Sequence, residues 1–198
     1  FSLDGLTGFD MRGKTAGIIG TGKIGVITTE ILNGFGCRLL LNDIDENENL
    51  KKNINVKYTS LEELFKEADI ISLHCPLNEQ TKYLINRESI KWMKDKVMLI
   101  NTSRGGLVDT LDVVEALKSG HIGYFGIDVY GEEEGLFFED HSLDILRDDV
   151  VARLMTFRNV LITSHQAFLT DTALKNIAAT TIHNLDCFEQ GIVSGNEL

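Results

Sequence analysis

The sequence predicts an α/β protein with a doubly wound parallel β-sheet in three αβα layers. Short apolar segments alternate with segments of helical period almost from end to end, which is the pattern of parallel strands joined by crossover helices. Most apolar segments are rich in Ile, Val and Leu without polar alternation, as expected for strands that helices cover on both faces. A glycine-rich turn directly follows the first of them. The 198 residues, 43% of them hydrophobic, are enough for one domain that buries about 70% of its unfolded surface.

The apolar segments predict seven strands, and the periodic segments predict five helices. The strands are residues 15–20, 38–43, 56–58, 69–75, 97–102, 124–129 and 160–163, and the helices are residues 24–33, 60–66, 87–93, 111–119 and 172–189. The sequence Ser60-Leu61-Glu62-Glu63 indicates a capping box, and Gly120 indicates a helix end. Residues 132–149 are acidic and irregular, and we assign no element to them.

Composition and charge exclude several classes of function. The 19 basic and 30 acidic residues give a formal net charge of -11, which disfavours nucleic acids and anionic membranes as partners. No apolar run reaches the roughly 18 residues of a membrane span, and the first residues lack the features of a signal peptide. Cys37, Cys75 and Cys187 form no close pair, which favours a reducing, cytoplasmic location. No spacing of Cys and His predicts a metal site.

The glycine-rich turn points to a nucleotide ligand. Directly behind the first predicted strand comes the motif Gly20-Thr21-Gly22-Lys23-Ile24-Gly25, and Asp43 ends the next strand. The first glycine permits a sharp turn, the second allows a diphosphate to approach the backbone, and the third allows the helix to pack closely on its strand. The unpaired amides of the helix then lie towards the phosphates, and Asp43 can accept hydrogen bonds from the ribose hydroxyls. The expected ligand is therefore a dinucleotide.

Further polar residues follow other strands of the predicted sheet. Ligands of open parallel sheets bind outside the carboxyl ends of the strands. Four segments are expected at that edge: Leu73-His74-Cys75-Pro76, Asn101-Thr102-Ser103-Arg104-Gly105-Gly106, Gly126-Ile127-Asp128-Val129-Tyr130 and Ser164-His165-Gln166-Ala167-Phe168-Leu169-Thr170. The fold thus predicts that residues far apart in the sequence form one site.

Two of these residues suit chemistry on a carboxylic acid. Arg104 follows a buried strand and precedes two glycines, so its planar guanidinium can bind a carboxylate, although a surface ion pair is the commoner role of an arginine. His165 is the best proton carrier, because imidazole titrates near neutral pH, while a structural histidine is the alternative. His74 is expected to act through its backbone near the cofactor. One of Glu132, Glu133 and Glu134 could pair with His165, and the residues alone do not choose among them.

Hydrolase chemistry is not expected, because Ser103 has no base beside it and no strained elbow motif.

These motifs resemble the NAD-dependent D-isomer-specific 2-hydroxyacid dehydrogenases along the whole chain. The resemblance rests on the glycine motif, on Asn101-Thr102-Ser103-Arg104-Gly105 and on Asp128-Val129-Tyr130. The segments His165-Gln166-Ala167-Phe168-Leu169-Thr170 and Phe137-Phe138-Glu139-Asp140 are similar to the D-lactate branch of that family. The resemblance implies a Rossmann fold and NAD as the cofactor.

The resemblance also implies roles for individual residues. Arg104 would bind the substrate carboxylate, His165 would be the general acid or base, and Glu133 would hydrogen-bond that histidine. Asp128 would bind the nicotinamide carboxamide, and Asp43 would select NAD over NADP, with support from Asp45 and Glu46. The full set of expected cofactor-binding residues is Gly20, Thr21, Gly22, Lys23, Ile24, Gly25, Asp43, His74, Cys75, Pro76, Thr102, Ser103, Arg104, Asp128 and His165.

The expected function is that of the cofactor domain of an enzyme that reduces pyruvate to D-lactate with NADH. Residues 1–198 would form the NAD-binding domain, and residues 1–12 and 170–198 would contact a substrate domain that is largely absent. Because closure of that domain completes the site, we expect little or no turnover by this chain alone. A homodimer through the NAD-binding domain is also expected. The alternatives are an NAD(H)-sensing or interaction module without catalysis, and a dehydrogenase for another D-2-hydroxy acid.

Overall fold

The computed structural model describes residues 8–132 and 148–196 of the chain. The chain divides into two compact units, Phe1–Ser164 and His165–Leu198. The described part of the first unit contains a parallel sheet of seven strands in the order β3-β2-β1-β4-β5-β6-β7. The strands are β1 (Thr15–Ile19), β2 (Arg38–Asn42), β3 (Val56–Tyr58), β4 (Ile70–Leu73), β5 (Val97–Asn101), β6 (Ile122–Ile127) and β7 (Val160–Ile162). The predicted fold class is confirmed.

Helices connect these strands. They are α1 (Lys23–Gly34), α2 (Glu48–Lys51), α3 (Leu61–Glu67), α4 (Arg87–Trp92), a 3₁₀ turn (Gly105–Leu107), α5 (Thr110–Ser119) and α6 (Asp149–Leu154). The second unit contains α7 (Asp171–Gln190), which Thr170 caps at its start and Gly191 ends with a left-handed backbone at φ +65°. In the described ranges, no helix has the length and apolar character that a membrane crossing requires.

The core lies on both faces of the sheet. Along β2, Leu39 and Leu41 belong to one buried cluster, and Leu40 between them belongs to the other. The first cluster packs against α1, and the second includes residues of α3, α4, α5 and α6. Burial on both faces explains why the strands are continuously apolar. Cys37 also lies in this core as a small buried residue.

All seven predicted strands and all five predicted helices are present, most of them with shifted ends. Every strand except β3 ends one or two residues before its predicted end, because the chain turns into the loops of the sheet edge. Strand β6 begins at Ile122 rather than at residue 124, since the glycine at position 123 hides its strand character. A Cβ atom on Gly123 would lie 2.6 Å from the carbonyl oxygen of Lys96, so a glycine is needed there.

Three short elements were not predicted. Helix α2 is a single turn, which is too short for a periodic pattern, and the side chain of Asn47 caps it by accepting from the amides of Asn49 and Leu50. Helix α6 adjoins the acidic stretch to which no element was assigned, and Asp148 caps it in the same way. The 3₁₀ turn begins with two glycines, which have a low helix propensity.

The predicted capping box at Ser60 is only half formed. Ser60 Oγ accepts from the amide of Glu63 at 3.2 Å, but the Glu63 carboxylate pairs with Lys57 and accepts from the Thr59 hydroxyl instead of returning to the cap. A complete capping box forms between Asn86 and Ser89 at the start of α4. The predicted helix end at Gly120 is confirmed, with φ +80°.

The strand order determines where a ligand can bind. Strand β1 lies between β2 and β4, so Ala16 pairs with Leu39 on one side and with Ile70 on the other. The connections leave β1 and β4 in opposite directions along the sheet, which makes the gap between their carboxyl ends the switch point of the fold.

Candidate functional site

A cavity of about 530 Å³ opens at this switch point. Its volume is within the range of small-molecule sites. It is lined by the glycine turn, the end of β2 with its following loop, the first residue of α3, and the segment that follows β4. These residues are Ile19, Gly20, Thr21, Gly22, Asn42, Asp43, Ile44, Asp45, Leu61, His74, Cys75, Pro76, Asn78, Gln80, Thr81 and Leu84. The structure therefore brings the predicted residues Gly20, Asp43 and His74 into one cavity.

The three glycines of the turn differ in what surrounds them. Gly20 has φ +95°, and a Cβ atom there would lie 2.5 Å from the backbone of His74 and Cys75. A Cβ atom on Gly25 would lie 1.9 Å from the carbonyl oxygen of Gly20. On Gly22 it would meet no described atom within 4 Å. The first and third glycines therefore allow close packing, while the second faces open space through which a phosphate group can approach.

Helix α1 begins at the same place. Gly22 is its N-cap, and among the described residues no side chain caps its first amides. Val26 donates to the carbonyl of Gly22 at 3.0 Å, which closes the first turn and leaves the preceding amides available. The start of the helix also carries the positive end of its dipole. This arrangement favours an anion beside Gly22 and Lys23.

Asp43 lies across the cavity at the end of β2. Its Oδ2 accepts from the amide of Thr21 at 2.5 Å and from the Thr21 hydroxyl at 3.1 Å, and its Oδ1 accepts from the amide of Asp45 at 3.2 Å. Burial alone would raise the pKa of Asp43, but these hydrogen bonds outweigh it and hold the pKa below its usual value. Asp43 is therefore a charged carboxylate at neutral pH.

His74 and Cys75 are neutral groups on the β4 side of the cavity. Burial lowers the pKa of His74, whose Nε2 lies 2.9 Å from Ser72 Oγ. Burial raises the pKa of the Cys75 thiol to about 11. Neither side chain therefore brings charge to this wall, which is consistent with the predicted backbone role of this segment beside a cofactor.

The Arg104 loop follows β5. The side chain of Asn101, only 1% exposed, accepts from the amide of Ser103 at 3.1 Å and donates to the carbonyl of Arg104 at 2.9 Å. Ser103 Oγ donates to the carbonyl of Cys75 at 2.7 Å, which ties the loop to the β4 segment. The Arg104 guanidinium is exposed, and its Nη1 donates to the carbonyl of Ser103 at 2.7 Å. The backbone of this arginine is thus held in place while its side chain reaches solvent.

Asp128 lies beside this loop at the end of β6. It is buried, its amide donates to the carbonyl of Asn101 at 3.0 Å, and its Oδ1 accepts from the Thr163 hydroxyl at 2.5 Å. With Thr102 and Thr163 it lines a second, mainly apolar cavity of about 540 Å³. The ends of β5, β6 and β7 therefore meet at one edge, as predicted.

The catalytic pair of His165 and Glu133 stays a prediction. His165 is the first residue of the second unit and has φ +55°, directly after Ser164 with φ +51°. Both backbones are uncommon for residues other than glycine. Glu133 and the segment Phe137-Phe138-Glu139-Asp140 lie outside the described residues.

The sequence analysis gave no role to three residues that support the site: Ser72, Asn101 and Tyr58. Ser72 contacts His74, and Asn101 holds the Arg104 loop. Tyr58, at the end of β3, donates to the Thr21 hydroxyl at 2.9 Å. A signal existed for the first two, because each is a polar residue in an otherwise apolar strand.

The fold and the site together define a dinucleotide-binding α/β domain of the Rossmann class. A glycine turn, an open helix start and a charged carboxylate converge at the switch point of a parallel sheet. Residues 2–167 match the family model described as "D-isomer specific 2-hydroxyacid dehydrogenase, NAD binding domain". The chain belongs to this family, in which it is the NAD-binding domain, and the predicted resemblance is confirmed.

The relatives of this chain include D-lactate dehydrogenases and a pyruvate reductase. The D-lactate dehydrogenase of Escherichia coli is 52% identical over 198 residues, which are 100% of this chain and 60% of that protein. A structure of the pyruvate reductase of Chlamydomonas reinhardtii has a TM-score of 0.94 and 45% identity, covering 99% of this chain and 60% of that one. A D-lactate dehydrogenase from Aquifex aeolicus, complexed with NAD and lactic acid, has a TM-score of 0.87 and 37% identity, covering 96% and 57%. The chain thus spans about 60% of the length of these relatives.

The different surroundings of the glycines predict different effects of alanine. Gly25→Ala should lower the free energy of unfolding by about 1–3 kcal/mol, because the new methyl group must displace the Gly20 carbonyl. Gly22→Ala is the control, with φ -68° and open space, and should cost less, about 0.5–1 kcal/mol, from the weaker N-cap alone. Urea denaturation measures both. Equal stability of the two variants would contradict this account of the turn.

Proposed function

We propose that this chain binds NAD(H) through the switch-point cavity and that its enzyme reduces pyruvate to D-lactate. The proposal rests on one observation. Gly22, at the start of α1, and Asp43 line the same cavity. Amides beside Gly22 suit the diphosphate, and the Asp43 carboxylate suits the adenosine ribose. The names of the relatives support the reaction.

Opposite ends of the cavity favour different parts of the dinucleotide. The start of α1 attracts the diphosphate, whereas the charged Asp43 repels a phosphate on the ribose 2′ oxygen. Asp45 and Glu46 add negative charge to the same loop. This distribution of charge supports NAD rather than NADP as the cofactor.

The proposed chemistry is reduction of a 2-oxo acid. A bound NADH supplies a hydride for the carbonyl carbon. Arg104 binds the carboxylate through parallel N–H donors, and its backbone is already held by Asn101. His165 gives a proton to the carbonyl oxygen, so that a C–H and an O–H bond form while the carbonyl double bond is lost. Glu133 would hydrogen-bond His165 and orient its ring.

Replacement of the carboxylate tests the binding part of the proposal. Asp43→Ala should weaken NADH binding about tenfold and reduce the preference for NADH over NADPH, since it removes both the ribose acceptor and the repulsive charge. Calorimetric titration of the isolated chain with each dinucleotide measures this. Asp95→Ala, at an exposed position next to His121, is the control and should match the wild type. An unchanged preference in Asp43→Ala would reject the role of this residue.

Replacement of the histidine tests the reaction. In the full-length protein, His165→Gln should reduce kcat with pyruvate about 10²–10⁴-fold while NADH binding persists, because the proton donor is lost. The chain spans about 60% of its relatives, so we expect little turnover by the chain alone. His183→Gln, on α7, is the matched control. A normal kcat in His165→Gln would refute the assignment.

We also propose a homodimer. Four exposed apolar side chains form one stripe on α1: Ile24, Ile27, Ile31 and Phe35, the C-cap residue. Ile31→Glu should convert a dimer into a monomer in sedimentation velocity, whereas Glu30→Lys, away from the stripe, should not. A wild-type chain that sediments as a monomer would contradict the dimer.

The three cysteines are free thiols, which supports a cytosolic location of the protein. Cell fractionation tests this location.

A further inference from the structure

We propose that Tyr58 is a positioning residue that sets the choice between NADH and NADPH by holding Asp43 through Thr21. This inference rests on the proposed binding of NAD(H), but it concerns a residue that has no expected contact with the dinucleotide. Tyr58 ends β3, at the edge of the sheet next to β2. Its hydroxyl lies at the centre of a chain of hydrogen bonds that ends on the Asp43 carboxylate.

Which group donates in each of these hydrogen bonds follows from the donors that are present. The amide of Asn47 donates to Tyr58 Oη at 2.9 Å, and Tyr58 Oη lies 2.9 Å from Thr21 Oγ1. Since Asp43 is an ionised carboxylate, it can only accept, so the single hydroxyl proton of Thr21 must point towards it across 3.1 Å. Thr21 then accepts from Tyr58. The hydroxyl groups of Tyr58 and Thr21 therefore each have one defined orientation.

These hydrogen bonds connect the two ends of the acidic loop between β2 and α2, residues 43–47. At one end Asp43 accepts from Thr21 and from the amide of Asp45. At the other end Asn47, which caps α2, donates its amide to Tyr58. The same hydroxyl group thus connects the two ends of the loop that carries Asp43, Asp45 and Glu46. The position of this negative charge depends on Tyr58.

The aromatic ring adds a second contact to the same loop. Lys51 Nζ lies 5.9 Å from the centre of the Tyr58 ring and 2.7 Å from the carboxylate of Glu46. A cation above the ring is favourable and remains so with phenylalanine. Phenylalanine at position 58 therefore retains the ring and its packing and removes only the hydroxyl.

The Tyr58 hydroxyl matters because Thr21, which accepts its hydrogen bond, is buried. Thr21 is 5% exposed, so water cannot readily replace Tyr58 as its donor. Without that donor, the Thr21 hydroxyl and the Asn47 amide both lose a partner. Asp43 keeps the amides of Thr21 and Asp45, but the Thr21 hydroxyl that donates to it is no longer held by Tyr58. Ribose binding should weaken, and the repulsion of a 2′-phosphate should weaken more.

The test is titration of the isolated chain with NADH and with NADPH. Tyr58→Phe should weaken NADH binding about threefold to tenfold, as for the loss of one hydrogen bond, and lower the NADPH-to-NADH ratio of dissociation constants at least about threefold. Tyr83→Phe is the matched control, since it removes an exposed hydroxyl that lies outside the linings of both cavities, and should leave both constants unchanged.

Substitutions at Thr21 provide a second, independent test of the proposal. Thr21→Val should reproduce the loss of discrimination, and Thr21→Ser should restore most of it by returning the hydroxyl. The double variant Tyr58→Phe/Thr21→Val should be no worse than Thr21→Val alone, because both changes break the same chain.

The outcomes separate this inference from the proposed function. NADH binding by the wild type with an unchanged NADPH-to-NADH ratio in Tyr58→Phe overturns the role of Tyr58, whatever the result for Thr21→Val, and leaves the proposed function intact. A lower melting temperature without a change in the ratio has the same meaning, since a purely structural residue would give that result. Failure of the wild type to bind NADH overturns both.

Discussion

The close approach of the glycine turn to the end of β4 is the constraint on which the site depends. A side chain on Gly20 would overlap the backbone of His74 and Cys75, so the carboxyl ends of β1 and β4 can approach only with glycine there. This approach gives the chain its sharp exit from β1 and directs the start of α1 into the crevice. It also places Thr21 against Asp43 on the other side. One steric requirement thus produces both the anion-binding end and the carboxylate end of the cavity.

Electrostatic selection in this domain is local. The whole chain carries a formal charge of -11, yet the proposed ligand is an anion. Charges beyond about 8 Å are largely screened at physiological salt, so the amides at the start of α1 act on a diphosphate almost independently of the net charge. Asp43, which hydrogen bonds keep ionised, can act on the adenosine end in the same independent way. Attraction and repulsion therefore coexist within one cavity.

Buried polar residues at the ends of strands hold the loops of the site. Ser72 contacts His74, Asn101 holds both Ser103 and the Arg104 carbonyl, and Asp128 accepts from Thr163. In the part of the chain that the structure describes, no buried side-chain polar atom lacks a partner. Because leaving such a group without a partner costs about 1–3 kcal/mol, these contacts fix loop geometry more firmly than exposed ion pairs do.

The sequence by itself determined the alternation of strands and helices, the glycine turn and the acidic residue after β2. These features are local, since side-chain periodicity and the small size of glycine act over a few residues. The tertiary structure alone decided the strand order, the link from Ser103 to Cys75 and the link from Tyr58 to Thr21. Tyr58 and Thr21 are 37 residues apart and Ser103 and Cys75 are 28 apart, so no local pattern marks either pair. Such partners meet only when parallel strands align their carboxyl ends at one edge of the sheet.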